Sequence, residues 1–225
     1  YSVTGYLEGT MPLLSLYGHQ ALRERLNDQV ARGALPASLL LQGPSGIGKQ
    51  QLALWLGRRL ICNEPGSPCG ACRDCEYMRN GTHPDLRWYF PRPRLKDAND
   101  NISLEEVARE RDEAVAERIG TNGLYARPDG SSAIYRNDAR LLLAEAVRTP
   151  ALSRRKIFVI ADADRLAPQT GVEVAASMVL KLLEEPLDDT TLILTTSEPG
   201  ALLPTIRSRV VTIRDRKSTR LNSSH

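Results

Sequence analysis

Three unbroken apolar runs of strand length stand out along this chain: ASLLLQ at 37–42, the KIFVI that opens KIFVIADAD at 156–164, and the centre of TTLILTTSE at 190–198. Runs that are apolar at every position, rather than at alternate ones, predict strands buried on both faces of a sheet. Two shorter runs, LRWYF at 86–90 and VVTI at 210–213, are predicted as further strands. Around them the period changes to that of helices. LRERLNDQVARG (22–33) interleaves apolar and charged residues and stops at glycine, and QQLALWLGRRLIC from Gln50 places Leu52, Trp55, Leu56, Leu60 and Ile61 at helical spacing. LEEVARERDEAVAERIG (104–120) is amphipathic on Leu104, Val107, Val115 and Ile119, and VEVAASMVLKLLEEP (172–186) reads as a helix halted by Pro186. Strands alternating with helices predict an α/β fold with a parallel five-stranded sheet, helices on both faces, and a ligand site at the carboxyl ends of the strands.

The 225 residues suffice for one sizeable α/β domain, expected over residues 11–214. From Pro91 to about Arg136 the composition turns charged and rich in Gly and Pro, which marks an insertion carrying the 104–120 helix. Met11 is expected to be the initiator, with 1–10 as upstream sequence read through in frame. DRKSTRLNSSH (215–225) is expected to be translated adapter sequence and is left out of the fold reasoning. The formal net charge of +3 is too weak to argue for nucleic acid by itself. No run approaches the roughly 18 apolar residues of a membrane span and no signal-peptide pattern is present, so a cytoplasmic location with no membrane partner is expected.

The strand at 37–42 leads into GPSGIGKQ, that is Gly43, Pro44, Ser45, Gly46, Ile47, Gly48, Lys49 and Gln50, and then into a helix. Strand, glycine-rich loop, helix is the context a phosphate loop needs: backbone N–H groups wrap the phosphates, and the lysine reaches the terminal ones. The usual Ser or Thr that holds magnesium is replaced by Gln50, whose longer neutral amide does not reproduce a hydroxyl-to-metal contact. The second metal contact of such sites comes from an Asp-Glu pair after four apolar residues. Here IFVI is followed by Ala161 in the Asp position and Asp162 in the Glu position. ATP or ADP therefore fits the loop, while Mg²⁺ is doubtful. Asp162 and Asp164 as mere ends of a buried strand remain the alternative.

Every cysteine of the chain falls in C-x6-C-x2-C-x2-C: Cys62, Cys69, Cys72 and Cys75. That spacing suits a structural four-cysteine Zn²⁺ module, with no open position for catalysis. Disulfides or free thiols are the alternatives, and the expected cytosolic setting disfavours disulfides. His83, in THPDL, reads as a turn residue before Pro84, and Arg154, Arg155 and Lys156 as a solvated lead-in to a strand rather than a DNA contact.

Taken in order, GPSGIGK, the cysteine group with CGACRDC, HPDL, VLKLLEEP and LLPTIRSRV resemble the delta-prime family of bacterial DNA polymerase III clamp-loader subunits, which are AAA+ proteins. The resemblance spans about 11–214, apart from the 91–136 insertion, which is longer than the family usually carries. It implies an AAA+ nucleotide-binding domain with an inserted zinc module, in a pentameric machine that uses ATP to open a sliding clamp and place it on primer-template DNA. Implied partners are the gamma or tau motor subunits and the delta subunit. It also implies a stator whose own ATPase is weak or absent, and whose Ser-Arg motif projects an arginine finger into a neighbour's ATP site. Here that motif is Ser208 and Arg209, with Val210 where cysteine is commoner in the family, and Thr196 matches the sensor position. The lid and collar of the family would lie beyond Arg214. An active gamma or tau type ATPase predicts a hydroxyl after Lys49 and an intact Asp-Glu pair, and the sequence has neither. A zinc knuckle for nucleic acid on an unrelated phosphate-loop kinase predicts basic and aromatic residues around the cysteines, yet CGACRDCEYMRNG is nearly balanced in charge.

Overall fold

In the computed structural model, which describes residues 16, 18–93, 102–120, 132–166 and 173–214, the five apolar runs form one parallel sheet. The expectations for 1–10, Met11 and 215–225 lie outside those residues. The elements follow in the order α1 (Gln20–Ala31), β1 (Ser38–Gln42), α2 (Lys49–Ile61), α3 (Arg73–Arg79), β2 (Leu86–Tyr89), α4 (Leu104–Gly120), α5 (Arg136–Ala146), β3 (Lys156–Ile160), a 3₁₀ turn (Ala163–Leu166), α6 (Glu173–Glu184), β4 (Thr190–Thr196), α7 (Pro204–Arg207) and β5 (Val211–Arg214). The strand order is β2-β3-β4-β1-β5. β1 pairs with β4 through Leu39 and Ile193, and with β5 through Leu41 and Ile213, which puts the phosphate-loop strand inside the sheet.

Strict alternation along each strand divides the core in two. Leu39, Leu41, Ile157, Val159, Ile193 and Trp88 face α1, α2 and α3, whereas Leu40, Phe158, Ile160, Leu192, Leu194 and Tyr89 face α5, α6 and α7. Both faces are covered, so β1, β3 and β4 carry apolar side chains throughout. β5 lies at an edge and is mostly exposed. The strand from Lys156 stops at Ile160 because Asp162 takes a left-handed φ of 47°, a conformation that aspartate tolerates better than most residues.

The helix at 104–120, α4, is joined to this core. Ala114, Val115 and Ile119 pack into one face cluster while Val107, Leu104 and Ala108 pack into the other, so α4 crosses the β2 edge of the sheet. Arg111, only 2 % exposed, donates to the Tyr89 hydroxyl at 2.9 Å and to Glu145 of α5 at 2.7 Å. A helix over an edge strand removes a pairing template that would otherwise invite aggregation.

Three helices, α3, α5 and the single turn α7, were not predicted from the sequence. α5 is signalled by Leu141, Leu142 and Ala146, which are buried, and by Asp138 accepting from the Tyr135 N–H at 3.0 Å. Lys156 is also a correction: rather than a solvated lead-in, it is 4 % exposed, and its ammonium donates to the carbonyls of Glu145, Ala146 and Arg148 at the end of α5. A cation there satisfies the last carbonyls of the helix and complements its dipole.

Asp85 does comparable work on the loop before β3. Its carboxylate accepts the backbone N–H groups of Ala151, Leu152 and Ser153, each at 2.7 Å, and it is 2 % exposed. Burial alone would raise its pKa, but those three N–H groups and the Ser153 hydroxyl overcome this and hold the carboxyl below its ordinary value. Asp85→Ala leaves three donors without their acceptor and should cost about 3 kcal/mol, read as the shift in a urea unfolding midpoint. Because the folded pKa is depressed, the contribution is complete above the ordinary carboxylate range and is lost as pH falls through the lowered value. The gap between wild type and Asp85→Asn should therefore narrow below about pH 4.

Candidate functional site

β1 ends at Gln42, paired with Thr196 of β4, and the Gly43 N–H donates to the Thr196 carbonyl at 3.4 Å. The chain then turns through Pro44, Ser45, Gly46 and Ile47 to Gly48, with φ of 79° at Gly46 and 89° at Gly48, and enters α2 at Lys49. At Gly48 a Cβ would meet Gln51 Oε1 at 2.6 Å and His19 Nε2 at 3.2 Å, so both conformation and space call for glycine. The loop thus sits on the N-terminus of a 13-residue helix, where backbone N–H groups and the helix dipole favour an anion.

Lys49 is 6 % exposed; its ammonium donates to the Pro44 carbonyl at 2.7 Å and to the Ser197 hydroxyl at 2.8 Å. His19, just before α1, donates from Nε2 to the Ile47 carbonyl at 2.6 Å and ties the loop to the segment ahead of it. Sequence reasoning passed over His19. Its only signal was a polar ring in YGHQ, next to a helix start, with its partner 28 residues away.

Gln50, in the usual hydroxyl position, meets Asp162, in the Glu position of the Asp-Glu pair. Gln50 Nε2 donates to Asp162 Oδ2 at 3.0 Å, while the buried amide oxygen of Gln50 has no hydrogen-bond partner among the described residues. Ala161 is fully buried, and its backbone N–H is spent on the Tyr89 carbonyl. The Asp162 N–H donates to Thr195 Oγ1 at 3.1 Å, which fixes the carboxylate toward α2. Burial first, and then the neighbouring Asp164 charge, push the Asp162 carboxyl up, with Lys49 pulling the other way. Thr196 is fully buried at the end of β4; its hydroxyl donates to Asp164 Oδ1 at 2.5 Å and accepts from the Glu198 N–H at 3.0 Å. Lys49, Gln50, Asp162 and Thr196 therefore converge at the carboxyl ends of β1, β3 and β4, where an open parallel sheet binds its ligands.

The four cysteines converge as well. One sulfur from each of Cys62, Cys69, Cys72 and Cys75 lies within 4.8 Å of the others, and the Cys62–Cys72 and Cys69–Cys75 pairs stand 3.9 Å apart. A disulfide would need about 2 Å. A zinc tetrahedron with bonds of about 2.3 Å has edges close to 3.8 Å, so the donor set fits that ion. The N–H groups of Cys69, Cys72 and Cys75 point at Cys62, Cys69 and Cys72 sulfurs at 3.4 to 3.5 Å, which stabilises thiolates. The Cys69 thiol is lowered to about 7, chiefly by the backbone N–H of Ala71, whereas burial raises Cys75 to about 12. His83 is no ligand of this group: it is fully buried, and its Nδ1 accepts from the Asp85 N–H at 3.1 Å.

Arg209 lies apart from both centres, between α7 and β5. Its guanidinium holds Glu184 at the end of α6 at 2.7 Å and donates to the Thr205 carbonyl at 2.9 Å, with 35 % of the side chain exposed. Among the described residues no helix is long and apolar enough to cross a membrane.

Residues 18–218 match the protein family described as DNA polymerase III, delta subunit. DNA polymerase III subunit delta′ of Bacillus subtilis is 30% identical over 189 residues, 84% of this chain and 44% of that protein. The subunit delta′ of Pseudomonas aeruginosa is 32% identical over 174 residues, covering 76% of this chain and 40% of its own. Among solved structures, a DNA polymerase III gamma subunit-related protein of Thermotoga maritima is similar with a TM-score of 0.44 at 16% identity, over 86% of this chain and 46% of that one. The chain spans less than half the length of the curated relatives it matches.

Proposed function

Because the chain belongs to the delta′ family of DNA polymerase III clamp-loader subunits, we propose that it acts as a stator of that machine, a subunit that supports ATP use next door without hydrolysing ATP itself. In this role it assembles with gamma or tau motor subunits and delta, and acts on the sliding clamp and primer-template DNA through them. The observation that carries the passive-site reading is the Gln50–Asp162 hydrogen bond. An amide N–H lies on Asp162, which stands in the water-polarising Glu position, and Ala161 leaves the magnesium-side Asp position without a carboxylate. Neither side of the octahedral site has its oxygen ligand. The loop keeps the glycine conformations and the buried lysine of a phosphate site, so ATP or ADP is held passively, with Thr196 at the terminal-phosphate end. Zn²⁺ is the ion the four thiolates fit, and its part is to fold the Cys62–Cys75 module.

The working group of the stator is then Arg209, offered in trans to the neighbouring ATP site. A guanidinium at a transferring phosphoryl group neutralises charge that builds only in the transition state. The reading is tested by clamp loading on primed DNA with the full-length chain and its partners, with and without Gln50→Thr. Restoring the hydroxyl alone should add no appreciable ATPase, since Ala161 still lacks the carboxylate. A robust gain in turnover that survives inactivation of the motor sites would overturn the passive-site reading.

A further inference from the structure

A second cavity lies at the opposite end of the sheet from the phosphate loop. It encloses about 630 Å³ between the end of α1, the end of α2, the segment that follows it, and the lead-in to β3. Leu35 precedes β1, Arg154 and Arg155 precede β3, and Cys62 to Ser67 follow the last turn of α2. These are the amino ends of the strands, whereas Lys49, Asp162 and Thr196 stand at the carboxyl ends. Of the site residues described above, Cys62 alone lines this cavity.

Three arginines line it, Arg59, Arg154 and Arg155, from two separate segments. Among the described residues none has a carboxylate partner. Among the described residues, the Arg59 Nε donates to Asn27 Oδ1 at 3.0 Å, Arg155 reaches the Thr191 hydroxyl at 3.5 Å, and Arg154 makes no hydrogen bond or ion pair. Several other buried or half-buried arginines are paired with acids: Arg87 and Arg111 with Glu145, and Arg92 with Asp138. Three unpaired guanidinium groups brought to one cavity repel each other unless an anion arrives, and their planar forks suit carboxylate or phosphate.

The rest of the lining selects between those two. Among the residues that line it there is no aromatic side chain on which a base could stack. Val30, Leu35, Leu60 and Pro65 offer apolar contact, and Asn63 and Ser67 offer polar groups, which suits a peptide better than a nucleotide chain. We propose that this cavity is a docking site for an acidic peptide segment of a partner protein, held by Arg59, Arg154 and Arg155 against the wall formed by Cys62 to Ser67. The cysteine module then has a second consequence besides stability, because its first ligand begins that wall.

The test uses the full-length chain with a fluorescein-labelled peptide of about twelve residues rich in Asp, Glu and Leu, followed by anisotropy. Arg154→Ala with Arg155→Ala should weaken binding at least tenfold, and binding should fall as salt is raised, as charge pairing at an open site requires. Arg109→Ala, which removes an exposed positive charge from α4, should leave it unchanged. Arg154 is exposed and Arg155 half-buried, so unaltered melting of the double variant certifies that it is folded. The proposal is overturned if the arginine variants bind the peptide as the wild type does, or if no peptide binding occurs. It is equally overturned if a labelled oligothymidylate of the same charge binds more tightly through the same arginines, since the partner is then nucleic acid.

Discussion

Replacing Cys75 by serine should lower zinc affinity by about a thousandfold or more, a loss of ~4 kcal/mol, and should bring down the thermal midpoint of the whole domain with it. The coupling follows from where the sulfurs sit. Cys62 ends α2, and Cys75 and Met78 of α3 are buried in the same cluster as Leu52, Leu56 and Trp88, so the module is part of the core rather than a pendant loop. Zinc binding in small domains is worth on the order of 10–16 kcal/mol of folding free energy, and a serine hydroxyl is a poor substitute for a thiolate. Bound metal would be counted by a chromogenic chelator, and stability followed by circular dichroism. A Cys75→Ser protein that keeps one zinc and melts with the wild type would end the structural-metal reading. The pH dependence has a definite sign. Without metal, burial keeps the Cys75 proton on up to about pH 12, so zinc must displace it. Apparent affinity should therefore rise as pH rises from 6 to 8, because each proton released favours the complex more at lower proton concentration.

Arg209→Ala should cut hydrolysis at the ATP site it faces by about 10³-fold in an assembly that still forms, because that site loses its transition-state cation. The guanidinium is now held by Glu184, but that pair is solvent-exposed on both sides, and exposed pairs are worth about 1 kcal/mol or less. A triphosphate arriving from a neighbour would outcompete it. Steady-state turnover with clamp and primed DNA, in assemblies whose other motor sites are inactivated, isolates the affected site. Arg209→Lys should recover only part of the rate, since an ammonium keeps the charge and loses the planar fork. Unchanged turnover in Arg209→Ala would remove the finger and return attention to Lys49 as a catalytic group.

What the sequence determined by itself lies within short windows. The unbroken apolar runs at β1, β3 and β4 foretold a sheet covered on both faces, because each run has to satisfy burial on its own. The glycines of the phosphate loop and the cysteine spacing were legible for the same reason: their geometry is set by neighbours a few residues apart. Tertiary structure decided the rest. Gln50 meets Asp162 across 112 residues and Lys49 meets Ser197 across 148, so the amide that stands on the carboxylate could be suspected from two local departures but not placed. Nothing in its own segment marked Asp85 as the acceptor for the loop at 151–153, and Lys156 looked solvated until the end of α5 arrived. α4 read as an insertion with one apolar stripe, yet that stripe reaches both faces of the sheet, because only the assembled edge at β2 tells which residues it covers. Periodicity reports that a side chain will be buried; the partner that makes burial favourable for a charge or an amide is chosen by chain segments that meet only in the fold.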